Sequence, residues 1–228
     1  MKETKTRLLL PRGEWLGALL AAFRVANLEL EQTRPKSLEY TFVTQSLPII
    51  FSAVRSWEVW PTIRDGRDVC AGFTGTDIAR EQLAQATWFV PLEELNSQAP
   101  KPNLFVGATP NITDRVARPT LSDMNGTRLY TSYPNTAQRF LNKNNLRAEI
   151  IYKQGAVEGF WRIDRGNGAI LDIADTGKTG EDNEITPIVT VGPSERVVFV
   201  QSEMGDRDFL RVLELRGCLE KVAKRERK

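Results

Sequence analysis

The order of apolar patterns along the chain predicts an α/β protein of two lobes, each a mostly parallel sheet flanked by helices. Three observations lead there. Strand-like and helix-like runs alternate from residue 7 onward, the pattern of units whose strands lie parallel. A polar, proline-bearing stretch, Gln98-Ala99-Pro100-Lys101-Pro102-Asn103, interrupts the alternation and marks the crossing into a second lobe. Beyond it the alternation restarts and delivers an apolar run, Ala169 to Ile173, into a loop rich in threonine, glycine and lysine.

Arg7 to Leu10 reads as a short buried strand, and Leu16, Leu19, Leu20 and Phe23 recur at helical spacing within Gly13 to Ala26. Leu38 to Val43 and Pro48 to Val54 carry strand-forming residues, and Trp57 to Arg64 reads as a helix stopped at Gly66. Val69 to Phe73 is the next strand, with Thr76 or Asp77 placed to cap a helix from Ile78 to Ala86. Leu104 to Ala108 is expected as an extended stretch at the crossing, and in the second lobe strands are expected at Arg128 to Thr131, Ala148 to Tyr152 and Ala169 to Ile173. Helices are expected at Asn135 to Asn144 and Val157 to Arg165. Ile185 to Gln201 is strand-rich, and Arg207 to Lys224 reads as a closing helix. The lobes are read as residues 1–107 plus 184–228, and 108–183.

Composition removes several classes of function. The chain of 228 residues contains no histidine, which excludes imidazole bases, Ser-His-Asp triads and histidine metal sites. Lys and Arg number 31 against 29 Asp and Glu, so no charge imbalance points to nucleic acid or an anionic membrane. Cys70 and Cys218 are the only cysteines and lie far apart, which argues against a disulfide framework and for a reducing cytoplasm. The opening apolar run is too short for a signal peptide, and no stretch approaches the ~18 apolar residues of a membrane span. Chemistry is left to carboxylates, arginine, lysine, backbone amides and a ligand-borne metal.

The loop Asp172-Ile173-Ala174-Asp175-Thr176-Gly177-Lys178-Thr179-Gly180 carries the sharpest signal. Gly177 and Gly180 allow close backbone approach, Thr176 and Thr179 supply hydroxyls, and Lys178 supplies charge, a set suited to one phosphate. A nucleoside-triphosphatase loop would need glycine at position 172, where this chain has aspartate. Asp172 and Asp175 instead put carboxylates beside the phosphate, as acceptors for sugar hydroxyls. The competing reading is a plain strand-end turn, with Asp175 forming its own backbone turn and Lys178 solvated.

Four separated blocks tip that balance. Leu10-Pro11-Arg12-Gly13, Gly72-Phe73-Thr74-Gly75-Thr76-Asp77, Thr131-Ser132-Tyr133-Pro134-Asn135 and Gly155-Ala156-Val157-Glu158 with the loop above resemble, in order, signatures of the ATP phosphoribosyltransferases, which begin histidine biosynthesis. The resemblance runs from about Arg7 to Gln201. It implies lobes of the periplasmic-binding-protein type II kind with the ligand in the cleft between them, in a short form without a regulatory C-terminal domain. It implies transfer of phosphoribose from phosphoribosyl pyrophosphate to N1 of ATP, with Mg²⁺ carried in on the pyrophosphate and no protein metal site.

Arg12, Arg34 and Arg55 are then the candidates for stabilising departing pyrophosphate. Each has the alternative of a surface or salt-bridged residue. Gly13, Gly75, Tyr133, Glu158, Asp172 and Asp175 to Gly180 are the candidate substrate contacts. Glu158 either faces the ribose or orients its helix, and Tyr133 either stacks on a base or packs. A homo-oligomer or a regulatory synthetase-like subunit is the partner implied. Glu14 stands where the family has arginine, Cys70 where it has aspartate, Gly168 for an aspartate and Gly180 for a leucine. Glu14 and Cys70 motivate two alternatives, a phosphoribosyltransferase for another nucleobase or heterocycle and a binding protein without turnover.

Overall fold

The computed structural model describes residues 5–42, 47–66, 68–84, 86–92, 102–154, 157, 160, 168–174, 184–192 and 196–226. The strands are β1 (Thr6–Pro11), β2 (Leu30–Gln32), β3 (Glu39–Phe42), β4 (Ile49–Val54), β5 (Ala71–Gly75), β6 (Ala86–Phe89), β7 (Asn103–Ala108), β8 (Thr127–Thr131), β9 (Ala148–Tyr152), β10 (Gly168–Ala174), β11 (Thr186–Thr190) and β12 (Val197–Gln201). The helices are α1 (Glu14–Val25), α2 (Ser56–Asp65), α3 (Thr76–Glu81), α4 (Pro110–Thr113), α5 (Pro134–Lys143) and α6 (Asp206–Glu226). The chain divides into two compact units, Met1–Pro100 with Arg196–Lys228, and Lys101–Glu195.

The first unit holds a seven-stranded sheet in the order β2-β3-β4-β1-β5-β12-β6. Its strands alternate between two apolar layers. Leu8, Leu10, Phe51, Phe73 and Phe199 pack with Leu19 and Phe23 of α1 and Val212, Leu215 and Leu219 of α6. Leu9, Val198 and Val200 on the other face pack with Val59 and Ile63 of α2 and Ala79 of α3. Burial on both faces is why β1 reads as unbroken leucine rather than as an alternating pattern. At its amino end, Thr6 donates to the Asp208 carboxylate at 2.5 Å and accepts from buried Arg211 at 3.1 Å, tying β1 to α6.

The second unit holds a five-stranded sheet in the order β11-β7-β10-β8-β9. Phe105, Tyr130, Val157, Ile170 and Ile185 form one buried cluster. α5 buries Ala137, Phe140 and Leu141 and packs on β8 and β9.

Both sheets are mixed, a departure from the mostly parallel expectation. In the first, β4-β1-β5 is parallel while β2, β3, β12 and β6 run antiparallel to their neighbours. In the second, β10-β8-β9 is parallel and β7 and β11 antiparallel. The β2–β3 and β3–β4 connections are too short for the dozen or more residues a parallel crossover needs. β7 and β11, read from sequence into the first lobe, pair with each other in the second sheet. The expected helix 157–165 lies outside the described residues apart from Val157 and Phe160.

α3 is shorter than its spacing suggested. It ends at Glu81, Gly75 rather than Thr76 or Asp77 precedes it, and β6 takes Ala86 to pair with Val200 of β12. Leu83 terminates the helix at φ 55°, with the Ala84 N–H returning to the Ala79 carbonyl at 2.8 Å. Its side chain is 74% exposed, so leucine carries the left-handed cost with little packing in return. Leu83→Gly is expected to raise stability by about 1 kcal/mol and Tm by roughly 2–4 °C. Thermal unfolding checks this; a lower Tm would mean that the Leu83 side chain supports the fold.

Candidate functional site

Parallel strands present their carboxyl ends at one edge, and in open α/β sheets ligands bind there. In the first unit, β4, β1 and β5 lie side by side, and each runs into a helix at that edge: Arg55 precedes α2, Arg12-Gly13 precedes α1 and Gly75 precedes α3. Pro11 is in register with Val54, and the Arg12 N–H donates to the Val54 carbonyl at 2.7 Å. The Arg12 and Arg55 backbones are therefore neighbours at sheet spacing, about 5 Å.

Arg34 reaches the same edge by another route. β3 runs antiparallel to β4 with Glu39 opposite Ser52, and the Ala53 N–H donates to the Leu38 carbonyl at 2.7 Å. The turn between β2 and β3 accordingly projects past Val54, and Arg34 sits in it. Arg12, Arg34 and Arg55 are all exposed. Elsewhere in the chain, Arg7 pairs with Glu39 at 2.8 Å and Arg216 with Glu220 at 2.7 Å. Among the described residues no carboxylate forms such a pair with Arg12, Arg34 or Arg55. Planar guanidinium forks match phosphate oxygens, so a row of them suits a polyphosphate.

The starts of α1 and α2 add donors, while at α3 the Thr76 N–H is already given to the Arg196 carbonyl at 2.8 Å. Gly13 and Gly75 have no side chain and Arg55 is a cation, so no N-cap side chain accepts the first-turn N–H groups of α1, α2 or α3. The Glu58 carboxylate accepts the Arg55 N–H at 3.0 Å and fixes the entry to α2. Gly13 sits at φ 82°, ψ −149°, a conformation open in practice only to glycine. At Gly75 the constraint is steric instead: a Cβ would collide with the buried Asp77 carboxylate. Glu14 is the first residue of α1.

Tyr133 and Asp172 belong to the second unit. Leu171 of β10 pairs with Thr131 at the carboxyl end of β8, so Asp172 is one step beyond that strand. It is half-buried, and its Oδ1 accepts the Ile173 N–H at 2.8 Å. Tyr133 caps α5, and its N–H donates to the buried Thr131 hydroxyl at 2.8 Å. The Tyr133 ring is buried at 3% exposure, which fits packing under the turn rather than stacking on a base. β10 ends at Ala174, on the side of the sheet where α5 begins. Asp175, Thr176, Gly177, Lys178, Thr179, Gly180 and Glu158 lie outside the described residues.

Cys70 precedes β5, half-buried against the larger apolar cluster, and burial raises its thiol pKa, with Asp208 adding to the shift. A thiol so held is a packing group, not a nucleophile. Sequence reading passed over Arg196. It is exposed at the amino end of β12, and antiparallel pairing of Val197 with Gly75 brings it to the edge that carries Arg12 and Arg55. Only that pairing, between positions 120 apart for Arg196 and Thr76, reveals it.

The family model described as HisG, ATP phosphoribosyltransferase, matches residues 55–221. The chain belongs to the ATP phosphoribosyltransferase family. Among relatives, the ATP phosphoribosyltransferase of Pelotomaculum thermopropionicum is 29% identical over 187 residues, covering 82% of this chain and 61% of that protein. That of Pyrococcus furiosus is 25% identical over 191 residues, covering 81% and 82%. The chain thus spans less than two thirds of the first relative and most of the second.

Among solved structures, the ATP phosphoribosyl transferase (HisG:HisZ) complex from Thermotoga maritima superposes with a TM-score of 0.70 at 19% identity, covering 96% of this chain and 99% of that one. A histidine kinase sensor domain with similarity to periplasmic binding proteins gives 0.51 at 13% identity, covering 99% and 91%. The fold of this family member is accordingly α/β, of the periplasmic-binding-protein type II kind. Among the described residues no helix is long and apolar enough to cross a membrane.

Proposed function

We propose that this family member moves 5-phosphoribose from phosphoribosyl pyrophosphate to N1 of ATP. The C1–O bond to pyrophosphate breaks, the C1–N1 bond forms, and pyrophosphate departs. The observation carrying the reading is the row of Arg12, Arg55 and Arg34 at the carboxyl edge of the parallel strands, in a chain whose residues 55–221 match the family model. Displacement at C1 passes through an oxocarbenium-like state, in which charge builds on the leaving pyrophosphate rather than on a proton to be removed. Preorganised cations serve that charge, and a chain without histidine loses nothing by it.

Asp172 and Asp175 take the ribose hydroxyls and Thr176 to Gly180 the 5-phosphate, with Glu158 toward the ribose. Gly13 and Gly75 let phosphate oxygens approach the backbone, and Tyr133 fixes the turn from below. The first lobe takes the acceptor and the second the donor. Mg²⁺ enters as part of the pyrophosphate-bearing substrate; among the described residues no group of three or more Asp, Glu, Cys or His is arranged to hold an ion. A synthetase-like regulatory subunit or a second copy of the chain is the partner, and the cytoplasm the compartment.

Incubation with phosphoribosyl pyrophosphate, Mg²⁺ and ATP should yield phosphoribosyl-ATP by mass spectrometry. Chelation should abolish turnover and leave the thermal transition in place, because the ion is not part of the fold. Product with another nucleobase but not with ATP would move the acceptor assignment to the reading that Glu14 and Cys70 motivate. Tight donor binding without pyrophosphate release would make the chain a binding homologue.

A further inference from the structure

We propose that Arg196 is a fourth cation of the arginine-bearing edge, binding the polyphosphate of a substrate, and that Thr76 is the residue positioning it. The proposal rests on the phosphoribosyl-transfer reading and names a residue which that reading did not include. Two bonds fix the Arg196 backbone: the Thr76 N–H donates to the Arg196 carbonyl at 2.8 Å, and the Arg196 N–H donates to the Thr76 hydroxyl at 3.1 Å. Thr76 is buried at 5% exposure, whereas Arg196 is exposed. A charged fork therefore leaves a rigid, doubly tied base.

Position supplies the rest. Val197 pairs with Gly75, Leu9 with Gly72 and Pro11 with Val54, so Arg196, Gly75, Arg12 and Arg55 end neighbouring strands at one edge. The order across the sheet is Arg55 just after β4, Arg12 just after β1, Gly75 closing β5 and Arg196 just before β12. Arg12 and Arg196 thus flank the turn at Gly75, where the backbone stays bare. A pyrophosphate group spans such an interval with an oxygen toward each fork.

The test is titration calorimetry with inorganic pyrophosphate in the presence of Mg²⁺, which needs no turnover. Arg196→Ala should weaken binding about 10- to 100-fold, as loss of a charge-assisted contact does, and Arg196→Lys should recover part of it. Arg207→Ala is the control for net charge: Arg207 is exposed in the first turn of α6, past the far end of β12, and its loss should cost under about threefold. Thr76→Val should weaken pyrophosphate by roughly 3- to 10-fold and Thr76→Ser restore it, since only the hydroxyl holds the Arg196 N–H.

In steady-state kinetics, a rise in KM for ATP alone assigns the contact to its triphosphate, and a rise for the donor alone assigns it to the donor's pyrophosphate. Unchanged pyrophosphate affinity in Arg196→Ala, or an equal loss in Arg207→Ala, would overturn the proposal. If the wild-type chain forms no phosphoribosyl-ATP while these affinities follow the expected order, the transferase reading fails and the anion site stands.

Discussion

Arg12→Ala is expected to lower kcat/KM for phosphoribosyl transfer about 10²- to 10³-fold while leaving thermal unfolding within about 2 °C of wild type. Removing one preorganised group aimed at developing charge typically costs ~3–4 kcal/mol of barrier, and Arg12 stands between Arg55 and Gly75 in the strand order. Its fold contribution is carried by the backbone, through the N–H bonded to the Val54 carbonyl, which alanine keeps. Its side chain is exposed, so truncation leaves no cavity. Arg12→Lys should recover part of the rate, because the charge survives and the two-pronged geometry does not. The loss should fall mainly on kcat, since charge on pyrophosphate is greatest as it leaves. A variant within threefold of wild type would show that the β1–α1 turn does not face the leaving group.

Much of the architecture was legible because apolar patterning is local. Leu8-Leu9-Leu10 and Ala169 to Ile173 are buried runs in the sequence and strands in the structure, and the spacing of Leu16, Leu19, Leu20 and Phe23 gives α1 within a residue. The failures share one cause: pairing across long separations. Ala86, the first residue of β6, is a good helix former and reads as the end of α3; pairing with β12 decides otherwise. β2 is three half-polar residues at a sheet edge, with no burial pattern to read. Strand direction was inferred from alternation alone, yet β12 returns to the first sheet antiparallel and separates β5 from β6.

The candidate site divides along the same line. Arg12, Gly13, Arg55 and Gly75 are candidates because the blocks that carry them resemble the family's signatures, and each lies at a strand-to-helix turn. That they share an edge follows only from register, as does the presence of Arg196. Arg34 reaches the edge through hairpin geometry, which the sequence marks only as Arg34-Pro35-Lys36-Ser37, a turn with Lys36 at φ 61°. Tyr133 shows the converse. Its place at the start of α5 was readable, but its burial depends on packing around the β8–α5 turn.

Phe73→Ala is expected to destabilise the first unit by about 3–5 kcal/mol, the range for removing a fully buried phenylalanine, and to lower Tm by roughly 6–20 °C. The ring is fully buried, with its centroid 5.0 Å from Phe199, 6.0 Å from Phe23 and 6.4 Å from Trp88, all three at steep edge-to-face angles. Those geometries add to the area term, and truncation would leave a cavity bounded by three rigid rings that cannot collapse into it. The same strand ends at Gly75, so this position connects core packing to the arginine-bearing edge. Phe73 faces the α1–α6 side, while the neighbouring Thr74 hydroxyl donates to the Ser56 carbonyl at 3.3 Å and ties β5 to α2. That second anchor should hold the edge in place below the transition, so pyrophosphate affinity measured well under Tm should stay within about threefold, and saturating pyrophosphate should recover part of the lost Tm. Unfolding followed by tryptophan fluorescence and by calorimetry checks both halves: a fall in Tm under about 3 °C would place Phe73 outside the cooperative core, and a large loss of affinity in the folded variant would mean that the edge is held by core packing alone.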